Sequence, residues 1–191
     1  FGTGRRSRIE RHRLALLHRF ANPPGVMFEI GPGHGTLGEL AVKAGWHYTA
    51  VEASPLLIDV LRKKGLNVIE SWTPPMPMAD ASADVVYADQ ILEHMRGIDD
   101  ARQFTAEALR SLRPGGHFFV VVPNYLKERQ FFWDVDYTHN FVTTPRRMHR
   151  RRGKRLERQE LDVAPHELVG DPHQLAEDLA GRLGDADVVA Q

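Results

Sequence analysis

Short apolar runs alternate with amphipathic segments along most of the chain, and this alternation constrains the fold more than any other feature. Five runs are typical of buried β-strands: Val26–Ile30, Tyr48–Glu52, Leu66–Ile69, Ala83–Ala88 and His117–Val122. Strands that are apolar on both faces need cover on both sides, and helices between the strands supply it in a mainly parallel sheet. The pattern therefore predicts an α/β fold with a doubly wound sheet.

Helix signals fill the gaps between these runs. Ser54 and Pro55 form an N-cap and first-turn pair, and Gly45 and Gly65 stand where helical apolar stripes end. The basic amphipathic segment Arg8–Phe20 precedes the first strand and is predicted to be a leading helix. The order of elements is therefore helix first, then strands and helices in turn.

Length favours a single domain, because 191 residues leave room for one sizeable core and too little for two. We divide the chain into a leading helix over residues 1–24, a core over 25–150 and a C-terminal segment over 151–191. The C-terminal segment is basic at its start and acidic beyond, and its apolar pattern is weak. We therefore expect an atypical C-terminal edge of the sheet, with short strands at Leu156–Val163 and Val188-Val189 and a helix from about Pro172 to Leu183 between them. Before this segment, Thr144 and Pro145 are predicted to cap and open a further helix. The role of the C-terminal segment is left open by the sequence.

Composition excludes several classes of function. The 25 Lys and Arg residues balance 25 Asp and Glu residues, which argues against a surface dedicated to nucleic acid. The absence of cysteine excludes disulfides and thiolate zinc sites. No apolar run approaches the roughly 20 residues of a membrane-spanning helix, and the first residues show no secretory pattern. We therefore expect a cytoplasmic protein, and its oligomeric state is undetermined.

A glycine-rich loop, Gly31-Pro32-Gly33-His34-Gly35, lies between the first strand and the helix after it. Glycine lets the backbone approach a ligand closely, and the helix N-terminus offers free N–H groups. Glu52 ends the second strand about twenty residues later, the offset at which a carboxylate accepts hydrogen bonds from ribose hydroxyls. The loop predicts a nucleotide-like ligand, and at this point a dinucleotide-dependent oxidoreductase stays open, since Gly33–Gly38 also fits its fingerprint.

Further motifs along the chain resemble the class I S-adenosylmethionine-dependent methyltransferases. They follow that family's order: Glu29–Gly35, Val51–Ser54, Met76–Val86, Ile91–His94 and Leu112–His117. The resemblance implies a Rossmann-like sheet, S-adenosylmethionine as the cofactor and methyl transfer as the activity. An oxidoreductase would leave the turn before His117 and the pair Glu93-His94 unexplained. A non-catalytic binding protein with the same fold is the other alternative.

The resemblance also implies which residues surround the cofactor. Glu29 approaches the methionine part, the loop glycines pass under the ribose and carboxypropyl chain, and Glu52 holds the ribose. The turn Glu70-Ser71-Trp72 frames the adenine, with Trp72 either stacked on the base or packed in the core. The implied set is Glu29, Gly31, Gly33, Gly35, Glu52, Ala53, Ser71, Trp72 and Asp89.

The methyl acceptor is expected beyond the fourth and fifth strands. The residues expected there are Asp89, Gln90, Glu93, His94, Pro123–Tyr125 and Phe131–Phe141. Transfer to a hydroxyl requires alignment of the acceptor and removal of its proton, and histidine is the natural base near neutral pH. We therefore predict His94 and His139 as the catalytic residues.

Two resemblances concern the segment around His139. Asp136–Pro145 resembles a stretch in bacterial methyltransferases of small-molecule and glycan clusters, which implies a small-molecule acceptor. The residues Gln90, Glu93, His94 and His139 match the magnesium ligands of metal-dependent methyltransferases that modify small RNA ends. Gln90 replaces a carboxylate there, which disfavours a divalent metal without excluding it. The metal site is therefore unknown from the sequence.

Overall fold

A computed structural model describes residues 3–144 and 188–190 as one parallel sheet with packed helices. The strands are β1 (Val26–Ile30), β2 (His47–Glu52), β3 (Val68–Glu70), β4 (Ala83–Asp89), β5 (Leu112–Val121) and β6 (Val188–Ala190). The helices are α1 (Thr3–Leu17), α2 (Thr36–Ala44), α3 (Pro55–Lys63), α4 (Ile98–Ser111), α5 (Tyr125–Glu128) and α6 (Phe131–Val135). A 3₁₀ turn, Leu92–His94, follows β4.

The strand order is β3-β2-β1-β4-β5-β6, and every neighbouring pair is parallel. The chain moves outward in one direction from β1 to β3 and in the other from β4 onward. Such a reversal opens a crevice beyond the carboxyl ends of the two central strands. The predicted α/β fold with a mainly parallel sheet is confirmed.

The core consists of two apolar clusters, one on each face of the sheet. Successive residues of β4 alternate between them, as the two-residue period of a strand requires. Val85 and Tyr87 pack with the cluster that contains Leu17 of α1. Val86 and Phe104 of α4 belong to the opposite cluster. Both faces are therefore covered, as the apolar strands predicted.

The leading helix begins and ends earlier than the predicted Arg8–Phe20, because it runs over Thr3–Leu17. Leu14 and Leu17 are buried against the sheet, whereas Phe20 lies in the turn that follows. The fifth strand also starts earlier than predicted. The strand begins at Leu112, which pairs with Ala83 of β4. The register then shifts, because Val85 pairs with His117.

The C-terminal edge consists of β6, which pairs in parallel with Phe118–Val120 of β5. The short strand expected at Val188-Val189 is therefore present. Predictions of a strand at Leu156–Val163 and of helices at Pro172–Leu183 and after Thr144-Pro145 lie outside the described residues. The division at residues 24 and 150 stays a prediction. Within the described ranges, no helix combines the length and apolar composition that crossing a bilayer requires.

Replacement of Phe104 tests the core between α4 and the sheet. Phe104 is 0% exposed and its ring centroid lies 6.1 Å from that of Phe118. Phe104→Ala leaves a cavity there, so we expect the free energy of unfolding to fall by about 3–5 kcal/mol in urea titrations. Leu56→Ala is the control, because Leu56 on α3 is 80% exposed, and its effect should stay within about 0.5 kcal/mol. Equal losses in the two variants would contradict this account of the core.

Candidate functional site

The loop after β1 has a backbone that requires glycine. Gly31, Gly33 and Gly35 have φ angles of 64°, 56° and 71°, in the left-handed region that residues with a Cβ rarely adopt. A Cβ on Gly31 would lie 2.2 Å from Cδ1 of Ile91. The loop therefore brings bare backbone to the edge of the crevice beyond β1 and β4.

A cavity of about 480 Å³, here called the first cavity, opens beyond β1, β2 and β3. Its size is typical of a small-molecule site. Five residues of the predicted cofactor set line it: Gly31, Glu52, Ala53, Ser71 and Trp72. The side of this cavity toward β4 is lined by Ile91, His94 and Met95. Trp72 is 81% exposed at the rim, so the alternative that it is a core residue is wrong.

Glu52 presents a carboxylate to the first cavity from the end of β2. Its Oε1 accepts hydrogen bonds from the backbone N–H groups of Ala53 and Ser54, both at 2.9 Å. These two bonds fix the side chain, which is only 9% exposed. Ser54 precedes α3 as predicted, although its hydroxyl makes no capping hydrogen bond. A fixed acceptor beside a tight glycine turn and apolar walls fits a ligand with a ribose and an adenine.

The other predicted cofactor residues do not line the first cavity. Gly33 and Gly35 shape the loop, and Asp89 at the end of β4 is ion-paired with Arg13. Glu29 is 4% exposed, and its Oε2 accepts a hydrogen bond of 2.6 Å from the Tyr48 hydroxyl. Burial raises the pKa of Glu29 from 4.5 to about 8, although the Tyr48 hydrogen bond opposes the rise.

A second cavity, of about 490 Å³, lies beyond β4 and β5. Many of the residues expected around an acceptor line it: Gln90, Glu93, His94, Pro123, Asn124, Phe131, Phe132, Val135, Asp136 and His139. His94 lines both cavities and therefore stands between them. The topology thus places a candidate cofactor site and a candidate acceptor site side by side.

His94 and His139 pack together, with ring centroids 4.9 Å apart. Nδ1 of the buried His139 lies 2.7 Å from the carbonyl oxygen of Phe132, which accepts and therefore requires a proton on Nδ1. Nδ1 of His94 lies 2.8 Å from Oγ1 of Thr138, which itself donates to Asp136 at 2.7 Å. His94 must then donate from Nδ1 as well. A ring that carries its single proton on Nδ1 has its lone pair on Nε2.

The environment of His94 keeps it neutral near pH 7. Burial lowers its pKa from the ordinary value of 6.5, and the neighbouring His139 lowers it further. The side-chain partner of the His94 ring is Thr138. A neutral imidazole with a free lone pair can accept a proton or bind a metal ion.

Glu93 adjoins the two histidines and is 1% exposed. Its backbone oxygen accepts hydrogen bonds from the N–H groups of Asn140 at 2.7 Å and Phe141 at 2.9 Å, which position the loop carrying His139. Neither carboxylate oxygen has a hydrogen-bond partner within the part of the chain that the structure describes. Burial raises the pKa of Glu93 to about 8.

Arg13 is a residue of the second cavity that the sequence analysis missed. It reaches the cavity from α1, where it pairs with Asp89 and, at 3.1 Å, with Glu10. The sequence shows only that several arginines crowd the first helix. The contact with Asp89 joins residues 76 positions apart, so no local spacing distinguishes Arg13 from its neighbours.

Comparisons with known proteins agree with this geometry. A family model described as a methyltransferase domain matches residues 28–120. A probable S-adenosylmethionine-dependent methyltransferase of Mycolicibacterium smegmatis is 31% identical over 122 residues, 63% of this chain and 45% of the relative. The ubiquinone biosynthesis O-methyltransferase of Xylella fastidiosa is 30% identical over 108 residues, 51% of this chain and 42% of the relative. The chain thus spans less than half the length of either curated relative.

The fold itself recurs in solved structures. A SAM-dependent methyltransferase from Archaeoglobus fulgidus superposes with a TM-score of 0.64 at 19% identity, covering 73% of this chain and 63% of that one. Sheet topology, glycine loop and sequence matches together define a class I methyltransferase domain. Over residues 28–120 the chain resembles the S-adenosylmethionine-dependent methyltransferases, whose cofactor is S-adenosylmethionine.

The buried carboxyl of Glu29 predicts a pH dependence of stability. The unfolded chain loses this proton near pH 4.5, whereas the folded chain keeps it until about pH 8. The folded state binds more protons between these values, so the free energy of unfolding falls as the pH rises through them. Glu29→Gln removes this effect and keeps an acceptor for Tyr48. Relative to the parent, we expect the variant to gain stability between about pH 5 and pH 8 in urea titrations. If the difference in free energy of unfolding between variant and parent is equal at about pH 5 and pH 8, the raised pKa of Glu29 is contradicted.

Proposed function

We propose that this domain transfers the methyl group of S-adenosylmethionine to a hydroxyl group of a small-molecule acceptor. The observation that carries the proposal is the position of His94, which lines both cavities beside His139. Both rings keep a lone pair available, as the removal of a hydroxyl proton requires. Two relatives are named O-methyltransferases, one in ubiquinone biosynthesis and one acting on malonyl-[acyl-carrier protein].

On the cofactor side, Glu52 would accept hydrogen bonds from the ribose hydroxyls of a bound cofactor, and Gly31 would offer bare backbone beside it. Ser71 and Trp72 stand where they can contact the adenine. Asp89 and Glu29 do not line the first cavity, and they contact Arg13 and Tyr48 respectively. When bound, the cofactor supplies a methyl group that its sulfonium already activates, so the chain has mainly to align the acceptor.

On the acceptor side, His139 accepts the hydroxyl proton on Nε2 or orients the hydroxyl by a hydrogen bond. The Phe132 carbonyl holds the ring in the required tautomer, and the Asp136–Thr138 pair does the same for His94. Phe131 lines this cavity, and the exposed side chains of Trp133 and Tyr137 follow in the same segment, which can cover an acceptor.

The similarity to S-adenosylmethionine-dependent methyltransferases argues against a dinucleotide-dependent oxidoreductase. A binding protein that uses the same cofactor fold without catalysis remains as the competing hypothesis. It predicts no methyl transfer to any acceptor, whereas the proposal predicts transfer of labelled methyl groups to members of a panel of hydroxylated small molecules. A cytoplasmic location and the absence of a nucleic acid partner stay predictions of the composition.

Loss of the Glu52 carboxylate should weaken cofactor binding. Glu52→Ala removes charge-assisted hydrogen bonds to the ribose, so we expect the affinity for S-adenosylhomocysteine, the demethylated product, to fall by about 1.5–3 kcal/mol in titration calorimetry. Asp59→Ala is the control, because it removes an exposed carboxylate from α3. No binding by the parent, or equal affinity in Glu52→Ala, would overturn the assignment.

Loss of the His139 imidazole should slow turnover and spare cofactor binding. We expect His139→Ala to lower kcat by roughly 10²–10⁴-fold on an accepted hydroxyl substrate, the range typical of losing a general base. The affinity for S-adenosylhomocysteine should stay near that of the parent. His47→Ala, at an exposed position on β2, provides the matched control. Parental turnover in His139→Ala would make this histidine a structural residue of its loop.

A further inference from the structure

Glu93, His94 and His139 converge at the wall of the second cavity. One ligating atom from each, a carboxylate oxygen and two imidazole nitrogens, lie within 4.8 Å of one another. This separation is short enough for three side chains to share one ion, since first-row metals bind such atoms at about 2.0–2.2 Å. We propose that these three residues form a binding site for one divalent transition-metal ion of the Zn²⁺ type.

The carboxylate of Glu93 is the strongest sign of a ligand. The side chain is 1% exposed, and both of its oxygens lack hydrogen-bond partners among the described residues. A buried polar group without a partner is costly, and native structures rarely leave two such oxygens on one side chain. Because a cation would neutralise the carboxylate and coordinate its oxygens, an ion at this position removes the cost.

The two histidines are held as metal ligands usually are. A ligating histidine donates its second ring N–H to a carbonyl or a carboxylate, which fixes the ring and the tautomer. His139 donates to the Phe132 carbonyl at 2.7 Å, and His94 donates to Thr138 at 2.8 Å. Thr138 in turn donates to the carboxylate of Asp136 at 2.7 Å, which completes a hydrogen-bonded chain behind His94. These contacts leave both Nε2 lone pairs for an ion.

The donor set selects the kind of metal. Two imidazoles and one carboxylate suit Zn²⁺ and neighbouring first-row ions, whereas Mg²⁺ and Ca²⁺ prefer oxygen ligands. Gln90, which lines the same cavity, carries no charge and so does not add the second carboxylate that a hard cation would favour. Three protein ligands facing a cavity leave a coordination position open, the arrangement of catalytic rather than structural zinc sites.

The inference stands apart from the proposed methyl transfer, because binding of an ion is measurable without any acceptor or cofactor. An ion at this site would make His139 a ligand rather than a proton acceptor. Both roles use the same lone pair, so only one operates in a given state of the protein.

The test uses the full chain, treated with chelator and then dialysed. Titration with Zn²⁺ by calorimetry, and with Co²⁺ followed by visible absorption, should each show one ion per chain. Glu93→Gln keeps the shape of the side chain but removes its charge, and His139→Ala removes a nitrogen ligand. We expect each to weaken binding by more than the roughly 10–100-fold that loss of an outer hydrogen-bond partner costs.

His47→Ala provides the control, since it removes an exposed histidine from β2 and should bind Zn²⁺ as the parent does. Circular dichroism and S-adenosylhomocysteine binding establish that each variant is folded. If His139→Ala does not fold, Glu93→Gln decides the question. The proposal is overturned if the parent binds no Zn²⁺, if Glu93→Gln binds it with parental affinity, or if His47→Ala loses binding as well.

Discussion

The reversal of strand order between β1 and β4 is the constraint on which the candidate site depends. Because all described strands are parallel, their carboxyl ends lie at one edge, and the reversal leaves that edge open at the centre of the sheet. The glycine loop after β1 and the 3₁₀ turn after β4 face each other across this opening, where Ile91 packs against Gly31. Ile91 and Gly31 both line the first cavity, and His94 lines both cavities.

Burial of acidic groups is the energetic consequence of this arrangement. Glu29 and Glu93 both lie in low-dielectric surroundings that raise their pKa values to about 8. Only the first has a hydrogen-bond donor among the described residues, the hydroxyl of Tyr48. Asp89 is instead matched by Arg13, which α1 brings across the end of β4. Three carboxyl groups thus lie near one edge of the sheet: Glu29 has a hydrogen-bond donor, Asp89 has an ion-pair partner, and Glu93 has neither among the described residues. Glu93 is the one that lies beside the two histidines.

Local sequence patterns were sufficient to predict most of the strands and five residues that line the first cavity. Strands that are apolar on both faces require a covered parallel sheet, and Gly31, Gly33 and Gly35 have φ angles that favour glycine. Glu52 follows from its offset after the loop, and it lies where that offset indicates, at the wall of the first cavity. These features depend on near neighbours and on a regular topology, so they can be read in order along the chain.

The rest required the tertiary structure, because it depends on contacts between distant segments. Spacing in the sequence does not show that Arg13 reaches Asp89, or that Trp72 stands at a rim instead of in the core. Nor does it show that the side chain of Glu93 is buried, or that its backbone oxygen accepts hydrogen bonds from the loop that carries His139. The sequence by itself determined the fold class and the kind of ligand loop. Only tertiary packing decided which polar side chains are buried and left without partners, since desolvation depends on everything that surrounds a group and not on its place in the chain.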